Sequence, residues 1–156
     1  MRSNIFNSDF QDFIRALNQS GVRYLLVGGF SVILHGYQRS TGDIDIWVER
    51  TPENYEAIER AFQTFGMPVF DMTRTSFLEN HALDVYTFGR EPAAIDVMMA
   101  VKGLDFIEAY ANAADMEVDG INVNVIHYND LIKAKTASAR FKDLNDLEHL
   151  KLHKRT

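Results

Sequence analysis

Val27-Gly28-Gly29-Phe30-Ser31 and, after a short gap, Arg39-Ser40-Thr41-Gly42-Asp43-Ile44-Asp45-Ile46 decide the fold of this chain. A hydrophobic strand runs into two glycines, and a polar turn then delivers two carboxylates onto a second strand. Successive side chains of a strand point to opposite faces, so Asp43 and Asp45 share one face and Ile44 and Ile46 the other. Two carboxylates about 7 Å apart along a strand repel one another and resist burial unless a cation lies between them. The local reading is a site for a divalent metal and a phosphate. The plainer alternative is two exposed aspartates at a strand start. The adjacent glycine turn and a third strand carboxylate further along favour the metal site.

Composition sets the frame. A chain of 156 residues suits one domain around one core. No stretch approaches the roughly 18 consecutive apolar residues of a membrane span. Met1 to Asp12 lacks a basic region followed by an apolar run, so no secretory signal is visible. There are no cysteines, which excludes disulfides and thiolate metal sites and fits a cytoplasmic location. The net charge of -6 argues against a broad nucleic-acid-binding surface. From Lys133 to Thr156, however, seven basic residues face three acidic ones. That run reads either as a solvated helical face or as attraction for a polyphosphate or nucleic-acid partner.

Before the glycines, Ser8 and Gln11 have capping-box spacing, and Phe10, Phe13, Ile14 and Leu17 form a helical apolar stripe ending at Gly21. Tyr24 to Val27 is apolar on both faces, as a central strand is. Gly28-Gly29 permits a tight turn and a close approach, but lacks the further Gly and Lys-Ser/Thr of a P-loop. Ser31 offers a hydroxyl beside that turn, and Arg39 can pair with a carboxylate or touch a phosphate. Trp47, on the Asp43/Asp45 face, reads as core rather than as one wall of a base-binding cleft.

Thr51-Pro52 starts a helix with stripe Ile58, Ala61, Phe62 and Phe65. Val69-Phe70 reads as a short strand, and Thr75–Leu78 as a short helix or an excursion over the site. Ala82–Tyr86 and Ala93–Met99 form a hairpin. Asp96 lies in the second of these, in an otherwise apolar run, where a charge needs a partner. Asp84 competes with it on the same ground. Asp105 and Glu108 box another helix, and Asp119-Gly120 turns a hairpin. Asn129 caps a C-terminal helical region over 129–152, as two helices or one bent near Arg140 to Lys142. His35 and His81 acquire no role from sequence.

Gly28-Gly29, Arg39, Thr41, Asp43-Ile44-Asp45 and Ile95-Asp96-Val97 together resemble the nucleotidyltransferase superfamily with the DNA polymerase beta-type catalytic core. The C-terminal Leu131-Ile132, Lys135, Arg140, Lys142-Asp143 and Asp146-Leu147 further resembles small bacterial stand-alone members, related to minimal nucleotidyltransferase antitoxins and abortive-infection proteins. The resemblance spans about residues 24–150. It implies an α/β (α+β) nucleotidyltransferase fold, a mixed twisted sheet with helices packed behind it. It implies Asp43, Asp45 and Asp96 as catalytic and metal-holding carboxylates, and ranks Asp96 over Asp84. It places Gly28, Gly29, Ser31, Arg39, Thr41, Lys135 and Arg140 around the nucleotide. For Lys135 and Arg140, pairing with Asp143 or Asp146 is the competing role. The implied cofactors are Mg²⁺, or Mn²⁺, with an NTP substrate, ATP first. The implied reaction is transfer of a nucleoside monophosphate to a hydroxyl of a protein, a tRNA end or a small molecule, antibiotics included. A non-catalytic binding partner, such as an antitoxin component, is the alternative, and a homo-oligomer suits a domain this small. One departure stands out. Many members carry serine directly after the two glycines, where this chain has Phe30 and then Ser31.

Overall fold

Alternating and doubly apolar segments, separated by capped helices, assemble into one mixed sheet. The structure, a computed structural model, describes residues 4–90 and 92–154. Its elements are α1 (Ser8–Gln19), β1 (Tyr24–Val27), α2 (Gly28–Leu34), β2 (Ile44–Val48), α3 (Pro52–Phe65), α4 (Arg74–Glu79) and β3 (Val85–Phe88). They continue with β4 (Ile95–Met98), α5 (Phe106–Ala111), β5 (Ala114–Val118), β6 (Ile121–Val125), α6 (Tyr128–Ser138) and α7 (Phe141–Lys154). The six strands lie in the order β3-β4-β2-β1-β6-β5. β2 is antiparallel to β1 and parallel to β4. Its register sets Asp45 opposite Val27 on one side and opposite Asp96 on the other.

The two sheet faces have different tasks. α1 and α3 cover one of them: Phe13 meets Phe62 and Phe65 edge-on at 5.7 and 5.3 Å, and Phe62 meets Phe88 of β3 at 4.9 Å. Alternation puts Thr87, Asp96, Asp45 and Trp47 on the opposite face. There Trp47 is buried edge-on against Phe106 of α5 at 5.2 Å, so it is core, as its setting predicts. Buried Asn54 ties α3 to the sheet. It accepts from the Arg23 N–H at 2.8 Å and donates to the carbonyls of Arg23 and Glu49 at 3.1 and 2.8 Å.

Thr51 and Asp105 cap their helices as expected, and Asp119 and Gly120 take φ of 53° and 78°, the turn their hairpin requires. The Asp119 carboxylate also accepts from the Ile5 and Phe6 N–H groups at 2.9 and 2.8 Å, which fastens the N-terminal segment to this turn. Elsewhere the boundaries differ from expectation. Asn7, not Ser8, caps α1, accepting the Phe10 N–H at 2.8 Å. His127, not Asn129, caps α6, its Nδ1 accepting the Asn129 N–H at 3.0 Å. Val69-Phe70 forms no strand, because Phe70 at φ 49° leaves extended geometry. The hairpin strand begins at Val85 rather than Ala82. The C-terminal region is two helices, separated at Ala139, which ends α6 with φ 51°.

Candidate active site

Parallel pairing of β2 with β4 makes Asp45 and Asp96 register neighbours on the open face of the sheet. The two carboxyl groups are close enough to act on each other's ionisation. The Asp45 carboxyl is pushed up to about 7, first by burial, then by the neighbouring Asp96, and then by the charge of Asp43; Lys142 pulls it back. Thr87, opposite Asp96 on β3, donates its hydroxyl to Asp96 Oδ1 at 2.7 Å and so fixes that carboxylate's orientation. Asp43 stands just before β2, and its Oδ1 accepts the Ala94 N–H at 2.9 Å. Among the described residues no three His, Asp or Glu side chains already converge in a cation-holding cluster. The Asp45–Asp96 pair nonetheless fits a divalent metal. Hard oxygen donors are what Mg²⁺ takes, and a carboxyl held protonated only by burial and neighbouring charge would ionise against a cation.

The glycines serve this pair sterically. Gly28 has φ +70°, and a Cβ there would fall inside the Asp45 carboxylate. A Cβ on Gly29 would collide with the Thr41 hydroxyl and come within 3.2 Å of Arg39 Nη2. Glycine at 28 is therefore demanded twice, by backbone conformation and by the approach of Asp45. Gly28→Ala is expected to displace Asp45 and lower any reaction that depends on the Asp45–Asp96 pair by about 100-fold, since misplacing a reacting geometry by about 1 Å costs that much. A thermal melt run beside the activity assay should show a drop of only a few degrees.

Gly28, Gly29, Arg39, Asp45, Asp96 and Lys142 line a cleft of about 430 Å³ whose far wall is α6 and the start of α7. That wall is held by an ion-pair network. Lys135 Nζ is buried between Asp143 Oδ1 and Asp146 Oδ2, at 3.1 Å from each. Arg140 Nε reaches Asp143 Oδ2 at 2.7 Å, and Arg39 Nε reaches Asp146 Oδ1 at 3.0 Å. Burial alone would raise the Asp143 carboxyl, but hydrogen bonds from Arg140 and Lys135 outweigh it and hold that carboxyl below the usual range. Three cations against two anions leave this wall positive beside the carboxylate pair.

The residues picked out in the sequence divide between cleft and support. Gly28, Gly29, Arg39, Asp45, Asp96, Lys135 and Arg140 all line the cleft. Thr41 stands behind Gly29. Ser31 is fully buried, with its hydroxyl donated to the Gly28 carbonyl at 2.6 Å, and does not line the cleft. Phe30 turns into the core against Phe6 and Phe10, at 5.1 and 5.8 Å. Asp84 lies 3.7 Å from Arg50, away from the pair, and His81 meets the same arginine at 2.7 Å. His35 pairs through Nε2 with the Ile126 carbonyl at 2.7 Å. Sequence reasoning missed Thr87, which it left outside the first hairpin strand and which β3 includes. It also gave no role to Lys142, quoted only within the C-terminal resemblance, or to Lys102. Both line the cleft, and among the described residues neither forms an ion pair.

Paired strand carboxylates beside a glycine turn, on a mixed sheet of this order, define a nucleotidyltransferase fold. The chain matches the family described as nucleotidyltransferase of unknown function (DUF6036) over residues 8–156, and belongs to it. No curated protein matches the sequence. Among solved structures, a candidate nucleotidyltransferase from Thermotoga maritima superposes with a TM-score of 0.57 at 16% identity, covering 89% of this chain and 88% of that one. The lincosamide antibiotic adenylyltransferase LnuA, bound to lincomycin, gives 0.55 at 12% identity, covering 96% and 98%. The antibiotic-resistance factor ANT(2'')-Ia gives 0.55 at 12% identity, covering 92% and 80%. Among the described residues, no helix is long and apolar enough to cross a membrane.

Proposed function

We propose that this protein is a metal-dependent nucleotidyltransferase that moves the nucleoside monophosphate of an NTP, ATP first, to the hydroxyl of an acceptor. One observation carries the reading. Asp45 and Asp96 face each other across adjacent parallel strands, with Gly28 cleared to admit Asp45, in a cleft whose opposite wall is cationic. Asp45 and Asp96, with Asp43 beside them, would hold the divalent metal. When bound, the metal would supply charge stabilisation to the transferring phosphoryl group and its leaving group.

The chain's own residues account for the rest. Lys142, Arg140 and Arg39 set positive charge opposite the carboxylates, where a triphosphate belongs. The acceptor hydroxyl attacks the α-phosphorus, the bond to the bridging oxygen breaks, and pyrophosphate leaves. The hydroxyl's proton passes to the Asp96 carboxylate, which Thr87 keeps oriented. The test uses ATP labelled at the α-phosphate, with Mg²⁺ and cell extract, beside ATP labelled at the γ-phosphate. Transfer of the α label alone, absent in Asp96→Asn and in EDTA, is the expected result. Label moving from the γ-phosphate, or α transfer undiminished in Asp96→Asn, would overturn the reading. Thr87→Val should slow transfer about tenfold, with Thr87→Ser retaining most activity, because only the hydroxyl donor matters.

A further inference from the structure

Strand register gives the cleft two chemically different ends. Gly28 and Gly29 follow β1 and stand at the start of β2, with Arg39 beside them. Met98 lies two residues beyond Asp96 on β4, paired with Trp47, so it shares the face of Asp96 at the opposite end. Around Met98 the lining is apolar: Ala100 and Val101 from the loop after β4, Leu131 and Ala134 from α6. Gly103 seats that loop on α6. It has φ +88°, and a Cβ there would come within 2.8 Å of the Ala137 methyl. Lys102, next to this contact, lines the same end of the cleft. Its ammonium makes no hydrogen bond or ion pair among the described residues. Lys135, Arg140 and Arg39, by contrast, are all held by Asp143 and Asp146.

We infer that the Met98 end receives the acceptor, and that the acceptor is a small molecule with an apolar body and one anionic group, which Lys102 meets. The inference rests on the nucleotidyl-transfer reading. In-line displacement sets the attacking oxygen opposite the leaving one. With pyrophosphate departing toward the glycines and Arg39, the acceptor hydroxyl arrives from the Met98 side. Its oxygen bonds to the α-phosphorus, the bond to pyrophosphate breaks, and its proton passes to Asp96. The apolar body lies between Met98 and Leu131, and the anionic group reaches the free ammonium of Lys102. A cationic acceptor finds no counter-charge there. Of the three carboxylates in the lining, Asp45 and Asp96 are the proposed metal ligands, and Asp143 is bonded to Lys135 and Arg140. A polynucleotide end is held by stacking its bases on aromatic rings, and the lining has no aromatic side chain.

The test has a binding arm, read in EDTA without nucleotide, and a transfer arm. The binding arm follows the full chain by NMR, with isotope-labelled methionine methyls, as para-hydroxyphenylacetate, its neutral amide or the cationic amine tyramine is added. The Met98 methyl, identified as the resonance lost in Met98→Leu, is expected to shift. The acid should bind about fivefold more tightly than the amide, the upper range for an exposed ion pair, and tyramine more weakly still. Lys102→Gln should erase that preference, with a melting temperature within about 2 °C of the parent because the side chain is exposed. In the transfer arm, with ATP labelled at the α-phosphate and Mg²⁺, label should pass to the phenolic hydroxyl of the acid. Lys102→Gln should raise the KM of the acid about fivefold, as loss of a binding contact does. Equal binding of the three compounds, an unmoved Met98 methyl, or a preference for the acid that survives Lys102→Gln would overturn the proposal. So would displacement of the acid by a non-hydrolysable ATP analogue, which gives the Met98 end to the nucleobase. No transfer to the acid by protein that labels components of cell extract would overturn the acceptor assignment alone. An α label that moves to nothing would overturn the nucleotidyl-transfer reading, and this one with it.

Discussion

Asp45→Asn is expected to abolish the proposed nucleotidyl transfer, by at least about 1000-fold, while making the metal-free protein more stable at pH 8. Both effects come from one property. Burial and the neighbouring Asp96 and Asp43 push the Asp45 carboxyl up to about 7, from 3.8 in the unfolded chain. Between those values the folded protein binds more protons than the unfolded one. The stability this carboxyl contributes is therefore complete below about pH 3.8 and is lost as pH rises through about 7. A shift of this size corresponds to at most about 4 kcal/mol. Melting curves in EDTA should show the parent losing more stability than Asp45→Asn between pH 5 and pH 8. Mg²⁺ should restore part of that loss at pH 8 in the parent and none of it in the variant. Parallel pH profiles for the two proteins would refute the assignment.

Removing the charge of Lys135 should have the largest effect on folding. Lys135→Met leaves Asp143 and Asp146, both fully buried, without their shared cation. Breaking a buried pair on one side costs about 3–5 kcal/mol. Arg140 and Arg39 still hold one aspartate each, which places the expected loss at the lower end of that range. Urea unfolding should register about 3 kcal/mol, with a fall in melting temperature of roughly 6–12 °C. A Lys135 that served mainly as a triphosphate contact would give a different result, with nucleotide affinity reduced and stability unchanged.

The sequence contained the near side of the site more plainly than the far side. Period-two alternation alone put Asp45 on the open face of β2, whereas Asp43 lies just before that strand, accepts the Ala94 N–H and does not line the cleft; Thr51-Pro52 and Asp119-Gly120 marked their helix start and turn through local backbone chemistry. Asp96 and Asp84 were locally equivalent, because each is a carboxylate within a largely apolar segment. What separates them is register: parallel pairing sets Asp96 beside Asp45, while Asp84 ends near Arg50. The far wall was less legible for a similar reason. Lys135 and Arg140, five residues apart, do not share a helix face. The left-handed residue Ala139 breaks the chain between them and lets both converge on Asp143. Ser31 illustrates a competition that spacing cannot resolve. A hydroxyl at a helix start either faces outward or bonds to a nearby backbone group, and here it takes the Gly28 carbonyl. Phe30, the departure from the usual serine, is a core side chain whose place is set by Phe6 and Phe10.

The most direct test of a metal-dependent nucleotide site built on Asp45 and Asp96 needs no acceptor. It is a calorimetric titration of the protein with a non-hydrolysable ATP analogue, in Mg²⁺ and in EDTA, alongside Asp45→Asn and Asp96→Asn. The expected result is one-site binding that requires the metal and weakens at least tenfold in each variant. Binding of equal strength in EDTA, or undiminished in both variants, would contradict the account.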